Sequence, residues 1–194
     1  MKARTRNRTK EIALIGLFAA VTALLSQISF YIPLSPVPIS FGIMAVFITG
    51  LLLNPRSAFF SLLVYLGLGA IGLPIFSGGR GGLGIIVGAT GGFLFSYPIA
   101  ALFISVSVDL FTRLFNPENT KVKKYVFPAF AFIVLIIALF ICYLIGTLYL
   151  ARLLGMTFKG ALSAAVYPFV LLDILKIVAC VVLIVPLRSR LARR

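Results

Sequence analysis

Apolar and polar positions divide this chain into six apolar runs separated by short polar, glycine-rich or proline-rich breaks. The runs span Ile12–Ile32, Ile39–Leu53, Ser57–Gly72, Thr90–Phe115, Tyr125–Leu150 and Ala161–Leu187. A helix rises about 1.5 Å per residue, and the hydrocarbon core of a bilayer needs about 20 residues. Most of these runs meet that length; the second and third are near or below it. The pattern predicts an all-α polytopic membrane protein with six transmembrane helices in one domain, residues 1–194. A basic stretch (1–11) precedes the first helix and another (188–194) follows the last. A Gly-rich loop, 73–89, joins the third helix to the fourth.

Composition agrees. The chain is 61% hydrophobic with a mean hydropathy of +1.16, well above the roughly half-apolar content of soluble domains. Its net charge of +14 raises the question of nucleic acid, but the lysines and arginines fall in the gaps between apolar runs and so read as helix-orienting charges. With six spans both termini share one side, which takes 14 of the 18 basic residues, including Arg56, Arg113 and Lys121. The other side takes Arg80, Arg152 and Lys159, and Lys176 remains inside a span. The positive-inside rule therefore predicts that both termini are cytoplasmic and the Gly-rich loop is external. The first run is too long for a signal-peptide core and is read as a helix.

Asp173 and Lys176 lie three residues apart within the sixth run, about 18–24 Å along it from Ala161 if that run is one helix. Each costs roughly 2.5–3.5 kcal/mol at a helix centre, and ionisable groups at that depth commonly mark function. The i, i+3 spacing puts both on one face. They either form a structural ion pair or present an acceptor and a donor together to a small polar ligand. Asp109 and Arg113, spaced i, i+4 near the end of the fourth run, read as a structural pair.

The stretch Ser77–Gly92 holds eight glycines in sixteen residues. It can fold as a compact loop or lid, with Arg80 available to an anionic ligand, or serve only as a connector. A phosphate-loop pattern is absent, as are histidine, clustered carboxylates and a nucleophile elbow, so the sequence implies no cofactor, metal or catalytic site. Cys142 and Cys180 read as small core residues. The first run carries two small-xxx-small pairs, Gly16/Ala20 and Ala19/Ala23, which suit close approach of another helix, internal or from a partner.

Several segments in order resemble the BioY family, the substrate-binding S components of biotin transporters. They are Pro36-Val-Pro-Ile-Ser40, Gly50-Leu-Leu-Leu-Asn-Pro-Arg56, Leu66 to Phe76, Gly78-Gly-Arg-Gly-Gly-Leu-Gly84, Gly88-Ala-Thr-Gly-Gly92 and Tyr167-Pro-Phe-Val-Leu-Leu-Asp-Ile-Leu-Lys176. The resemblance implies capture of biotin from outside the cell membrane of a prokaryote. It also implies pairing with an energy-coupling module of one transmembrane scaffold and two ATPases, with the small residues of the first helix meeting the scaffold. The family's Asp and Lys of the closing motif map onto Asp173 and Lys176. A carboxylate can accept from the ureido N–H groups of biotin while an ammonium donates to its carbonyl. Phe93 and Tyr149 are the expected aromatic partners of the ring and chain, and Thr90, Gly91 and Arg80 complete the expected substrate-binding set.

The chain departs from the family pattern at Gly42, where relatives often carry Gln, at Ala89 in place of Pro, and at Leu172 in place of Gly. Two other readings stay open: a solitary biotin facilitator without ATPase partners, and a membrane enzyme using Lys176 as base or nucleophile.

Overall fold

The computed structural model describes residues 8–31, 33, 35–115 and 122–191. Residues 1–7, Ile32, Leu34, 116–121 and 192–194 lie outside the described residues, as do the side chains of Lys123, Lys124, Ser189, Arg190 and Leu191. Much of the charge asymmetry is therefore a property of the sequence alone.

Helix α1 (Arg8–Gln27) ends where the chain enters a two-residue strand, β1 (Ser29–Phe30). This pairs antiparallel with β2 (Ile39–Ser40), Ser29 opposite Ser40. Pro33, Pro36 and Pro38 lie in the connection, and proline cannot continue a helix there. The expected second span therefore begins extended, and α2 occupies only Gly42–Leu52. Eleven residues rise about 16 Å, short of a bilayer core. The Asn54-Pro55 turn starts α3 (Pro55–Ala70): the Asn54 side chain accepts from the Ser57 amide at 3.0 Å, and proline at N1 withholds a donor that would be orphaned anyway.

The Gly-rich segment is folded. Phe76 and Arg80 form a β-bridge around a turn in which Gly78 and Gly79 have φ of 75° and 68°, values other residues rarely adopt. A short helix, α4 (Leu83–Ile86), follows. The Phe76 ring plugs into the bundle, 1% exposed and edge-on to Tyr65 at 5.4 Å. It fits because residue 69 is glycine; a Cβ there would lie 2.0 Å from the ring.

Helix α5 (Gly91–Leu114) and α6 (Phe127–Leu154) form an antiparallel pair, the latter entered through a π-helical turn at 122–126 and closed by Gly155 at φ 62°. The expected continuous sixth span is instead two helices. Helix α7 (Phe158–Ala165) is capped by Thr157, which accepts from the Gly160 amide. It stops at a turn over 166–169 containing Pro168, and α8 runs from Val170 to Leu191. Asp173 thus sits in the first turn of α8, not deep in an unbroken helix.

Four described helices (α1, α5, α6, α8) are long and apolar enough to cross a membrane. Leu24, Phe140, Leu171 and Leu183 are all at least 63% exposed, so the bundle shows large apolar side chains outward. These features describe a multi-pass membrane protein. Inside, Phe47, Leu62, Ile104 and Leu135 form the core with buried hydroxyls. Ser61 donates to the Ile15 carbonyl and Thr22 to that of Phe18, as a water-free interior requires. The two small-residue pairs of α1 separate: Ala19 is buried and Ala23 packs on the core, whereas Gly16 and Ala20 face outward. Ala19 and Ala23 thus pack within the bundle, and Gly16 and Ala20 lie on the outward face of α1.

Candidate functional site

Asp173 and Lys176 lie one turn apart near the start of α8, just after the α7–α8 break, and are buried to 5% and 6% exposure. Lys176 Nζ donates to Asp173 Oδ1 at 2.6 Å and to the Ser40 carbonyl at 2.8 Å, and lies 5.4 Å from the centre of the Phe41 ring. Tyr143, from α6, donates its hydroxyl to Asp173 Oδ2 at 2.6 Å. The pair is thus fully partnered, which its burial demands. Each carboxylate oxygen has accepted one bond and retains a lone pair. Lys176 has one N–H left after its two bonds. The constellation can receive a ligand that carries N–H donors beside a carbonyl acceptor.

The pair forms one wall of a cavity of about 60 Å³, closed by Tyr143, Phe169 and Leu139. A second cavity of about 40 Å³ lies beside it under the Gly-rich segment, lined by Ser77, Arg80, Ile85 and Thr90. Val37, Pro38, Ser40, Phe93 and Tyr97 line both and form the partition. Ligand pockets usually run upward from about 300 Å³, so a ligand spanning both cavities must move that partition. Larger clefts of about 710 Å³ between the ends of α5 and α6, and about 670 Å³ between α1 and α3, contain no buried ion pair. The first is lined almost wholly by apolar side chains such as Leu110 and Phe130. The chemistry lies in the small cavities.

Five expected site residues converge here: Asp173 and Lys176 in the first cavity, Arg80 and Thr90 in the second, and Phe93 between them. The Arg80 guanidinium also lies 4.9 Å from the centre of the Tyr31 ring, a contact between the Gly-rich turn and the α1–α2 connection. Tyr149 and Gly91 line neither cavity. Tyr149 packs against Gly92, where an added Cβ would lie 2.4 Å from its own, and its hydroxyl donates to the Val87 carbonyl at 2.9 Å. Gly91 presses on the Ile86 carbonyl, which an added Cβ would approach to 1.8 Å. Both fix the start of α5 and stand behind the site.

Tyr143, Tyr97 and the Ser40 carbonyl went unnoticed in the sequence. Tyr143 carried a signal, a hydroxyl-bearing ring within an aliphatic run, but a backbone carbonyl carries none. Cys142 also lines the first cavity, and both cysteines are free and buried. Asp109 and Arg113 pair at 2.7 Å on the surface, as their spacing predicts.

Among proteins of known type, the biotin transporter BioY2 of Lactococcus lactis subsp. cremoris is 34% identical over 165 residues, covering 85% of this chain and 82% of that protein. The biotin transporter BioY of Rhizobium etli is 33% identical over 179 residues, covering 90% and 91%. The crystal structure of an S component for biotin from an ECF-type ABC transporter superposes with a TM-score of 0.81 over 99% of this chain and 96% of that one. At 22% identity that likeness establishes the fold. The BioY family matches residues 1–193, the whole ordered series of motifs included, and this chain belongs to it.

Proposed function

We propose that the protein is the biotin-binding S component of an energy-coupling transporter. The observation that carries this reading is the buried Asp173–Lys176 pair, which offers an acceptor and a donor side by side at the wall of a small cavity. The ureido ring of biotin has two N–H donors and a carbonyl. Its N–H groups would use the free lone pairs of Asp173, and its carbonyl the remaining N–H of Lys176. Phe93 would flank the ring, and the aliphatic chain would lead its carboxylate through the partition toward Arg80 and Thr90. Family membership and the biotin-transporter relatives support this choice of ligand.

Six passes accommodate this arrangement if α2 and α3 cross with their extended or looped flanks, and α7 with α8 makes the last. The basic residues then place both termini in the cytoplasm of a prokaryotic cell and the Gly-rich segment outside. Transport would draw on ATP hydrolysed by partner subunits, since the chain carries no nucleotide motif. Gly16 and Ala20, exposed on α1, are the surface offered to the transmembrane scaffold. The direct test is equilibrium binding of labelled biotin to the purified protein in detergent, with thiamine and riboflavin as competitors. Saturable binding that biotin alone displaces is expected; displacement by thiamine or riboflavin, or no binding, would overturn the reading.

A further inference from the structure

Helix α2 is fastened at both ends by cations of one other helix. At its start, the Ser40 carbonyl accepts from Lys176. At its end, the Leu51 carbonyl accepts from the Arg188 guanidinium, which also lies 5.9 Å from the centre of the Phe127 ring. An arginine is needed there for a covalent reason. In a continuing helix the Leu51 carbonyl would receive the N–H of residue 55, but residue 55 is proline and has none. The turn leaves the Leu53 carbonyl needing a donor as well, and Ser105 Oγ supplies it at 2.5 Å. In a lipid-surrounded bundle no water fills such gaps.

The spacing of the two fastenings matches. Lys176 and Arg188 are twelve residues apart on α8, about 18 Å of helix; Ser40, the last residue of β2, and Leu51 are separated by two non-helical steps and nine helical ones, at most about 20 Å. The two helices therefore lie side by side in the same direction, with their axial register set by a cation at each end. Between these points α2 is almost wholly apolar. Its one hydroxyl, Thr49, donates back to the Ala45 carbonyl, so among the described residues no side chain of α2 itself hydrogen-bonds to α8; the Ser29–Ser40 pairing and the Ser105–Leu53 bond tie the segment to other elements. Lys176 divides its donors between Asp173 and Ser40, so any ligand that draws on the ammonium loosens the first fastening. Arg188 is then the remaining tie between α2 and α8.

We propose that Arg188 is a positioning residue for the ligand site: by fixing the far end of α2 it sets the height of the Ser40 carbonyl, and binding at Lys176 is thereby coupled to the opposite end of the bundle. This inference rests on the biotin-binding reading above. The test uses the full-length protein in detergent, with biotin affinity and amide hydrogen exchange as readouts. Arg188→Gln should weaken biotin roughly 3- to 30-fold, the range for residues that act on a site without touching it. It should also speed exchange at Gly42–Val46, the end of α2 remote from the substitution. Arg188→Lys, which keeps a cationic donor, should restore most of both. Wild-type affinity in Arg188→Gln, or faster exchange confined to Leu51–Asn54, would overturn the inference, since the arginine would then only cap a helix. If Arg188→Gln does not fold, the wild type decides: biotin should change exchange at Leu51–Leu53, and no change there refutes the coupling. Absence of biotin binding to the wild type would instead defeat the functional reading on which the inference stands.

Discussion

Substitutions at Asp173 and Lys176 can separate a structural ion pair from a ligand site, provided that stability and binding are measured on the same variants. Removing one partner of a buried pair leaves a lone charge and costs about 3–5 kcal/mol, whereas replacing both with apolar groups of similar volume is often neutral. Lys176→Met alone leaves the Asp173 carboxylate held only by Tyr143; Asp173→Leu alone leaves the ammonium on the Ser40 carbonyl. Each single variant should therefore lose about 3–5 kcal/mol, and the double variant Asp173→Leu/Lys176→Met should regain most of it. Thermal unfolding can be followed with a thiol-reactive dye, because Cys142 and Cys180 are free and buried in the folded state. Biotin binding should behave differently. A hydrogen bond to a charged group contributes about 1.5–3 kcal/mol, or about 10- to 150-fold in Kd per bond. The double variant should thus be stable and still fail to bind. A stable double variant with wild-type affinity would show that the pair is structural only. Single variants as stable as the double would refute the burial and partnering on which the argument depends.

Four further outcomes follow from the structure. Tyr143→Phe removes one bond to Asp173 and should weaken biotin about tenfold, near 1.4 kcal/mol, with folding retained by dye-monitored melting. Gly69→Ala puts a Cβ where the Phe76 ring sits, so the ring must back out; a loss of about 1–3 kcal/mol and faster proteolysis within residues 73–89 are expected. Ala20→Leu, on the outward face of α1, should leave biotin binding intact and abolish co-purification with the scaffold and ATPases. Ala19→Leu, on the inward face, should lower the melting temperature of the isolated chain.

Where local chemistry decided the fold, the sequence was readable. Asn54-Pro55 falls in the break between the second and third runs and starts α3 through a capping preference of one or two residues, whereas α6 runs on to Leu154, past the Leu150 at which its apolar run ends. The ion pair was readable for the same reason, being anomalous in its own segment. What long-range contact decided was not. Ile39 and Ser40 look like the start of an apolar helix, yet they are extended because Ser29 and Phe30 pair with them. Pro168 was visible, but an apolar run on both sides hid the break it makes between α7 and α8. Tyr149 was placed in the site by analogy of position, and the packing of its ring on Gly92 could be seen only in three dimensions.

That break explains why the charged pair is where it is. An unbroken helix from Ala161 to Leu187 would satisfy its interior backbone groups and would carry Asp173 at mid-helix rather than in a first turn. Interrupting it at 166–169 creates non-helical backbone, which a bilayer tolerates only where the segment is enclosed by protein or lines a cavity. Ala165, just before the turn, and Phe169, its last residue, line the cavity that holds the pair. The acidic residue in the first turn of α8 also lies at the positive end of that helix dipole. The interruption, the cavity and the pair therefore support one another. Restoring helix continuity through Pro168→Ala tests this: it should leave the chain folded by dye-monitored melting while reducing biotin affinity, and unchanged affinity would show that the break and the site are independent.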